Sequence, residues 1–117
     1  MSEGVAPPPI RGLRESALYT DDMTRAADFF GRVLGLKALV ATERLTAFDA
    51  GAGGVLLIFP RGGATEDVTT DAGTIPGHDG SGKLHMAFTI AADSYDAWRT
   101  HLTTHDTPIR AEMTWRS

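Results

Sequence analysis

Two segments of the chain repeat the same strand-like pattern, and a helix-like pattern follows each of them. The first segment is ESALYT, residues 15–20, and the second is HMAFTI, residues 85–90. Glu15 and His85 stand at equivalent positions of this repeat. A repeat of this length predicts two similar half-domains that share a core. A carboxylate and an imidazole at equivalent points also indicate a site built between the two halves.

The first half is predicted to fold as β-α-β-β-β. Residues 13–20 alternate between two faces, and one face carries Leu13, Glu15, Ala17 and Tyr19. Asp21 and Asp22 are candidate N-caps for a helix whose apolar stripe runs over residues 23–34, and Gly35 is a natural stop.

Three short strands are expected next, and they are Lys37 to Thr42, Leu45 to Ala50 and Val55 to Pro60. The glycine-rich run at residues 50–54 predicts a hairpin turn between the last two.

The second half repeats the beginning of the first. Residues 83–90 predict a strand, Asp93 and Ser94 are candidate N-caps, and residues 109–115 predict a further strand. The Gly-, Thr- and Asp-rich stretch between the halves is long for a loop, and it is open to two interpretations: a flap over a site or a disordered linker. The divisions are a flexible arm at 1–12, a first module at 13–60, a linker loop at 61–82 and an incomplete second module at 83–117.

Composition excludes several classes of protein. The chain has no cysteine, so disulfides, thiolate catalysis and Cys-type zinc sites are excluded. A net charge of -4 argues against nucleic acid and anionic membranes as partners. The apolar runs are too short to span a bilayer and no signal-peptide pattern opens the chain, so a cytoplasmic location is the default expectation.

Several short motifs in this order resemble the opening of a vicinal oxygen chelate domain, from the glyoxalase, bleomycin-resistance and extradiol-dioxygenase superfamily. They are LYTDDM at residues 18–23, AADFF at 26–30, VLGL at 33–36, FDAG at 48–51, LLIF at 56–59 and HMAF at 85–88. The resemblance implies an α+β fold in which paired βαβββ modules form an incomplete barrel, with the second module truncated at the C-terminus. It covers roughly Leu13 to Trp115.

The resemblance also implies a divalent metal in the cleft. The family's first ligand position falls on Glu15 and its second on His85, and a third ligand is expected beyond Ser117. Glyoxalase I enzymes add a carboxylate on the fourth strand, and the matching residues 57–59 have none, which argues against glyoxalase I activity itself. Tyr19 and Phe48 are candidate substrate contacts, although both are residue types typical of a core.

A metal held from one side keeps open positions for two neighbouring substrate oxygens and acts as a Lewis acid. A Glu-rich ligand set favours manganese, magnesium, nickel or zinc over the iron of dioxygenases. The face of Glu15 is expected to be half-buried, which would require a partner for the carboxylate. For His101 and His105, four residues apart on the second helix, a helix-dipole contact is the simpler explanation. Glu112 is a weak substitute ligand, and His78 has no assigned role.

Three hypotheses follow. The first is a metal-dependent enzyme acting on a small oxygen-bearing substrate, of the lyase or isomerase, dioxygenase or antibiotic-modifying type. The second is a non-catalytic drug-binding protein of the same fold, and the third is a purely structural or regulatory relative. Since two ligands leave a metal under-coordinated, we expect this chain not to hold it tightly. Unpaired strand edges in the second half predict a homodimer.

Overall fold

A computed structural model describes residues 4–115 of the 117-residue chain. Its strands are β1 Glu15–Thr20, β2 Ala38–Ala41, β3 Thr46–Gly51, β4 Gly54–Pro60, β5 Val68–Thr70 and β6 Gly73–Ile75. Its helices are α1 Met23–Asp28, which continues into a π-helical turn at Phe29–Val33, and α2 Tyr95–Thr104, which follows a 3-10 turn at Ala92–Ser94.

The first half forms one mixed sheet with the strand order β1-β4-β3-β2. β1 and β4 are parallel, whereas β4 pairs with β3 and β3 with β2 in antiparallel fashion. A parallel pair requires a crossover, and α1 with the following strands supplies it. The β-α-β-β-β prediction is therefore confirmed.

The core lies on the helix-covered face of this sheet. Phe48, Leu56 and Ile58 are each 1% exposed. Among the residues that pack on them are Met23 and Phe30 from α1 and its π-helical turn, which together form the first helical segment, residues 23–33. The buried apolar residues of the described chain all precede residue 59. Tertiary stability is thus concentrated in the first half.

Local signals set the ends of the first helical segment as predicted. The Asp22 carboxylate accepts a hydrogen bond from the Arg25 backbone N–H at 3.0 Å, which satisfies a donor that the helix leaves free. At the other end Gly35 has φ +75°, a left-handed conformation that glycine adopts without a side-chain penalty. The β3–β4 turn uses the same freedom at Gly51 and Gly53, with φ of +86° and +80°.

Residues 61–82 contain a short hairpin that the sequence pattern did not predict. β5 and β6 pair in an antiparallel register from Val68 with Ile75 to Thr70 with Gly73. A cross-strand hydrogen bond joins the Thr69 and Thr74 hydroxyls at 3.0 Å. Threonine favours strands, which is consistent with a hairpin in this Thr-rich stretch.

The second half keeps its helix but not its strands. α2 forms where the apolar spacing predicted it, although the Ser94 hydroxyl bonds the Ala91 carbonyl rather than capping the helix. The predicted strands at 83–90 and 109–115 are wrong for this chain by itself, since neither segment is paired with another strand within residues 4–115. A strand depends on a neighbour for its hydrogen bonds, and these segments have none.

The molecule is wide for its length. The radius of gyration is 17.8 Å, whereas a compact chain of this size has about 13 Å. Within residues 4–115, none of the helices has the length and apolar character needed to cross a bilayer.

Candidate functional site

The sheet face opposite α1 is the candidate functional surface. Strand alternation puts Glu15, Ala17 and Tyr19 on this face of β1, because Ser16 and Leu18 point to the helix-covered side. The register places their β4 partners beside them on the same face, and these are Val55, Leu57 and Phe59. β3 adds Ala47 and Asp49, opposite Leu57 and Val55. The face is apolar in the middle and carries carboxylates at one end. We call it the open face.

Glu15 begins β1 and is exposed. The expectation that its face is half-buried holds only at Tyr19, since Leu13 is 80% exposed and Ala17 is exposed as well. Burial therefore does not force a partner on the Glu15 carboxylate. An exposed carboxylate can be reached by a metal ion from solvent, so this position is compatible with a role as a metal ligand.

His85 lies in the segment without strand partners and is also exposed. Its neighbour Met86 is the partly buried residue of this segment, and it packs against the core of the first half. Met86 therefore holds this segment against the first half. Among the described residues, no cluster of three or more His, Asp or Glu side chains is close enough to hold a metal ion. The donor types of Glu15 and His85 fit a divalent ion, but a complete site needs donors from elsewhere.

Tyr19 occupies the other end of the open face, and there it meets a residue that sequence reasoning left without a role. The Tyr19 hydroxyl and His78 Nδ1 are 2.7 Å apart in a hydrogen bond. The ring of Phe59 lies 4.5 Å from the His78 ring, edge to face. In the sequence, His78 lies between Gly77 and Gly80, and glycines allow the backbone to come close to neighbouring groups. This is the signal that could have indicated a role for His78.

Phe48 does not share this surface. It lies on the helix-covered face, 1% exposed, with its ring 6.0 Å from that of Phe30. A side chain so enclosed has no surface available to a substrate.

The histidine pair of α2 joins the two helical segments. His101 Nε2 donates to the Val33 carbonyl at 2.6 Å, which satisfies an acceptor at the end of the π-helical turn. Arg32 donates to His105 Nδ1 at 3.0 Å and also forms an ion pair with Asp28. These contacts give both histidines a structural role between helices.

Glu112 is likewise engaged in packing around α2. It accepts a hydrogen bond from the Tyr95 hydroxyl and lies 3.6 Å from the Arg99 guanidinium. The carboxylate raises the pKa of Tyr95, since the hydrogen bond favours the protonated phenol. Glu112 thus interacts with α2 rather than with Glu15 or His85.

The sequence of this α+β fold corresponds to one known family. The sequence profile of the Glyoxalase/Bleomycin resistance protein/Dioxygenase superfamily matches residues 12–115. The chain belongs to this superfamily. The resemblance noted from its motifs is thereby confirmed.

Solved structures of this superfamily type resemble the chain. A lactoylglutathione lyase from Agrobacterium tumefaciens aligns with a TM-score of 0.80 and 26% identity, over 92% of this chain and 80% of that one. A glyoxalase/dioxygenase from Nostoc punctiforme aligns with a TM-score of 0.67 and 21% identity, over 99% of this chain and 84% of that one. The second shows the fold alone. A comparison with curated proteins finds no match.

Proposed function

We propose that the protein is a divalent-metal-dependent enzyme that acts on a small organic molecule bearing two neighbouring oxygens. Glu15 and His85 would be two of its metal ligands. The observation that carries this proposal is the placement of a carboxylate on the open face of β1 and an imidazole at the equivalent point of the repeat. Membership of the superfamily supports it.

A bound ion would supply Lewis acidity to the substrate oxygens. The chain's own contribution is to hold one hard carboxylate donor and one imidazole donor in solvent-accessible positions. These donors suit manganese, nickel, zinc or magnesium, and iron less well. Further donors would have to come from a partner chain or from residues other than those in 4–115.

Among reaction types, a lyase or isomerase is our first choice. The lactoylglutathione lyase of Agrobacterium tumefaciens, at 26% identity, supports this class. Against glyoxalase I itself stands β4, where Leu57, Ile58 and Phe59 offer no carboxylate. A dioxygenase or an antibiotic-modifying enzyme remains the next choice within the same chemistry.

Metal binding tests the proposal, with a matched pair of carboxylates. Glu15 and Asp49 both flank Val55 on the open face, but Asp49 already accepts a hydrogen bond from the Gly51 N–H at 2.9 Å. We expect weak Mn²⁺ binding, measured by electron paramagnetic resonance of the free ion. Glu15→Gln and His85→Gln should each weaken it about tenfold or more, because loss of a ligand should cost at least as much as loss of a residue that only supports a ligand. Asp49→Asn should leave it unchanged. Equal effects of Glu15→Gln and Asp49→Asn would mean nonspecific binding to surface charge and would reject the proposed ligands.

A non-catalytic binding protein is the alternative, and the composition of the open face favours it. Between its two ends the face presents Ala17 and Leu57, with Phe59 beyond them, a surface suited to an apolar ligand. This alternative predicts that ligand binding survives removal of metal by a chelator and is insensitive to Glu15→Gln.

We also propose that the protein forms a homodimer. Residues 84–90 and 109–115 have no strand partners within the described chain, and several of their large apolar side chains are exposed. These side chains are Leu84, Phe88, Ile90, Ile109, Met113 and Trp115. Such edges recruit another chain. Light scattering after size-exclusion chromatography should give twice the chain mass, and a monomer at high concentration would count against the dimer.

A further inference from the structure

The loop after β4 places a histidine and a glycine directly on Tyr19. Besides the hydrogen bond from Tyr19 to His78, Gly80 lies so close that a Cβ atom there would be 2.5 Å from the Tyr19 ring. Such an approach is possible only for glycine. The loop and β1 are therefore fitted to each other at this point.

Hydrogen bonds to the backbone hold the loop in this position. The Asp79 carboxylate accepts from the Gly62 N–H at 3.1 Å, and the Asp67 carboxylate accepts from the Gly77 N–H at 2.8 Å. The His78 N–H donates to the Ala64 carbonyl at 2.8 Å. The bonds from the Gly62 and Gly80 N–H groups also lower the pKa of Asp79, because they favour its charged carboxylate. His78 is consequently a positioned side chain.

Three rings enclose this end of the open face. The Tyr19 and Phe59 rings lie 6.0 Å apart at 25°, and His78 stands 5.7 Å from Tyr19 and 4.5 Å from Phe59. All three residues are half-buried, so part of each ring stays accessible. We call these residues the aromatic wall.

The distance between the wall and Glu15 sets a length for any molecule that reaches both. Tyr19 follows Glu15 by four residues on β1, which corresponds to about 13 Å. Ala17 lies between them and projects little, and its partner Leu57 is apolar. The interval thus presents a small and an apolar side chain, which suits a flat, apolar group.

The hydrogen bond between Tyr19 and His78 leaves one donor for a ligand in either neutral form of the imidazole. If the Tyr19 hydroxyl donates to Nδ1, the proton of His78 resides on Nε2, which has no protein partner within residues 4–115. If Nδ1 carries the proton and donates, the Tyr19 hydroxyl proton is free instead. A complementary ligand therefore presents an acceptor oxygen to the wall.

We propose that the aromatic wall of Tyr19, Phe59 and His78 determines substrate specificity. It would bind the far end of an elongated substrate, a flat apolar group with an acceptor oxygen about 10 Å from the two metal-bound oxygens. This is shorter than the spacing of about 13 Å along β1, because the bonds to the protein at each end of the substrate take up the rest. This inference rests on the proposed function, because it takes the Glu15 end of the face as the place of reaction.

Nuclear magnetic resonance of the histidine rings can test both ends of the face at once. The chain has four histidines, so each ring signal can be assigned by substitution. The probes are catechol, which has only the vicinal oxygens, and 4′-methoxybiphenyl-3,4-diol, which adds a flat group and a distant ether oxygen. With Zn²⁺ present, catechol should shift the His85 signal alone, and the longer probe should shift those of His85 and His78.

Affinities of the same probes measure the contribution of the wall. Tyr19→Phe should weaken the longer probe about 5- to 10-fold, as expected for one hydrogen bond, and change catechol less than about twofold. Tyr95→Phe is the matched control, since it changes the other of the two tyrosines, and it should alter neither affinity.

The outcomes separate the two proposals. Either of two results would overturn the wall and leave the metal site standing. In the first, the longer probe shifts the His85 signal but not the His78 signal. In the second, Tyr19→Phe weakens the binding of both probes equally. No shift of His85 with either probe and Zn²⁺ overturns the metal site. In that case a Tyr19-dependent shift of His78 would still support the wall.

Discussion

β1 and residues 85–90 occupy equivalent places in the repeat, and their surroundings differ. β1 lies beside β4 over its whole length, from the pair of Glu15 and Val55 to that of Thr20 and Pro60. Residues 85–90 carry the same alternation of side chains but have no strand neighbour in the described part of the chain. Alternating side chains thus make a segment able to form a strand, but the strand forms only beside another strand that accepts and donates its hydrogen bonds.

The helices of the two halves behave differently from the strands. The first helical segment and α2 both form, since helix hydrogen bonds join residues four apart and need no distant partner. Both helices recur in the repeat although only the first covers a complete sheet. The difference between the halves therefore lies in long-range pairing, and it can be tested at that level.

Amide hydrogen exchange should show the largest contrast between the halves. Leu57, in a strand paired on both sides, should exchange at least about 5000-fold more slowly than an unstructured amide, which corresponds to the lower end of typical unfolding free energies. Ala87 should be protected less than about 10-fold. Comparable protection at Ala87 would show that this segment is paired in solution, and protection that grows with protein concentration would identify a second copy as its partner.

Truncation of one phenylalanine in each half should show the next largest difference. Phe48→Ala removes a ring that is 1% exposed and should lower the free energy of unfolding by about 3–5 kcal/mol. Phe88 is 40% exposed, so Phe88→Ala should cost less than about 1 kcal/mol. Urea denaturation of both variants measures the contrast. Equal losses would mean that the second half has a core of its own.

The helix N-caps provide a smaller comparison. Asp22→Ala removes the acceptor for the Arg25 N–H and should cost about 1 kcal/mol. Ser94 does not cap α2 with its side chain, so Ser94→Ala should cost clearly less. Thermal unfolding of the two variants at equal concentration decides between them, and a larger loss for Ser94→Ala would contradict the cap assignments.

The sequence predicted what local patterns determine. Both helices, the three strands β2 to β4, the Asp22 cap and the Gly35 stop follow from spacing and residue type. The pattern alone did not reveal that residues 85–90 stay unpaired, because pairing depends on what lies beside them. It also left His78 without a role, since its contact with Tyr19 joins residues 59 positions apart.

The smallest effect expected concerns the ion pair of Asp28 and Arg32, which belongs to the first half and contacts the second through His105. The Arg32 side chain, by hydrogen bond and charge, lowers the pKa of Asp28 from its ordinary value of 3.8. A carboxyl with a lowered folded pKa stabilises the protein above its ordinary pKa, and this contribution disappears as the pH falls through the folded value.

Both side chains of the ion pair are largely exposed, so solvent screens the effect strongly. Asp28→Asn should therefore be slightly less stable than the parent at neutral pH. The two should converge in high salt, or in acid once the pH falls below the lowered folded pKa of Asp28. Denaturation curves at several pH values give the measurement. A difference that persists unchanged in acid would show that Asp28 acts through its shape and hydrogen bonds rather than through its charge.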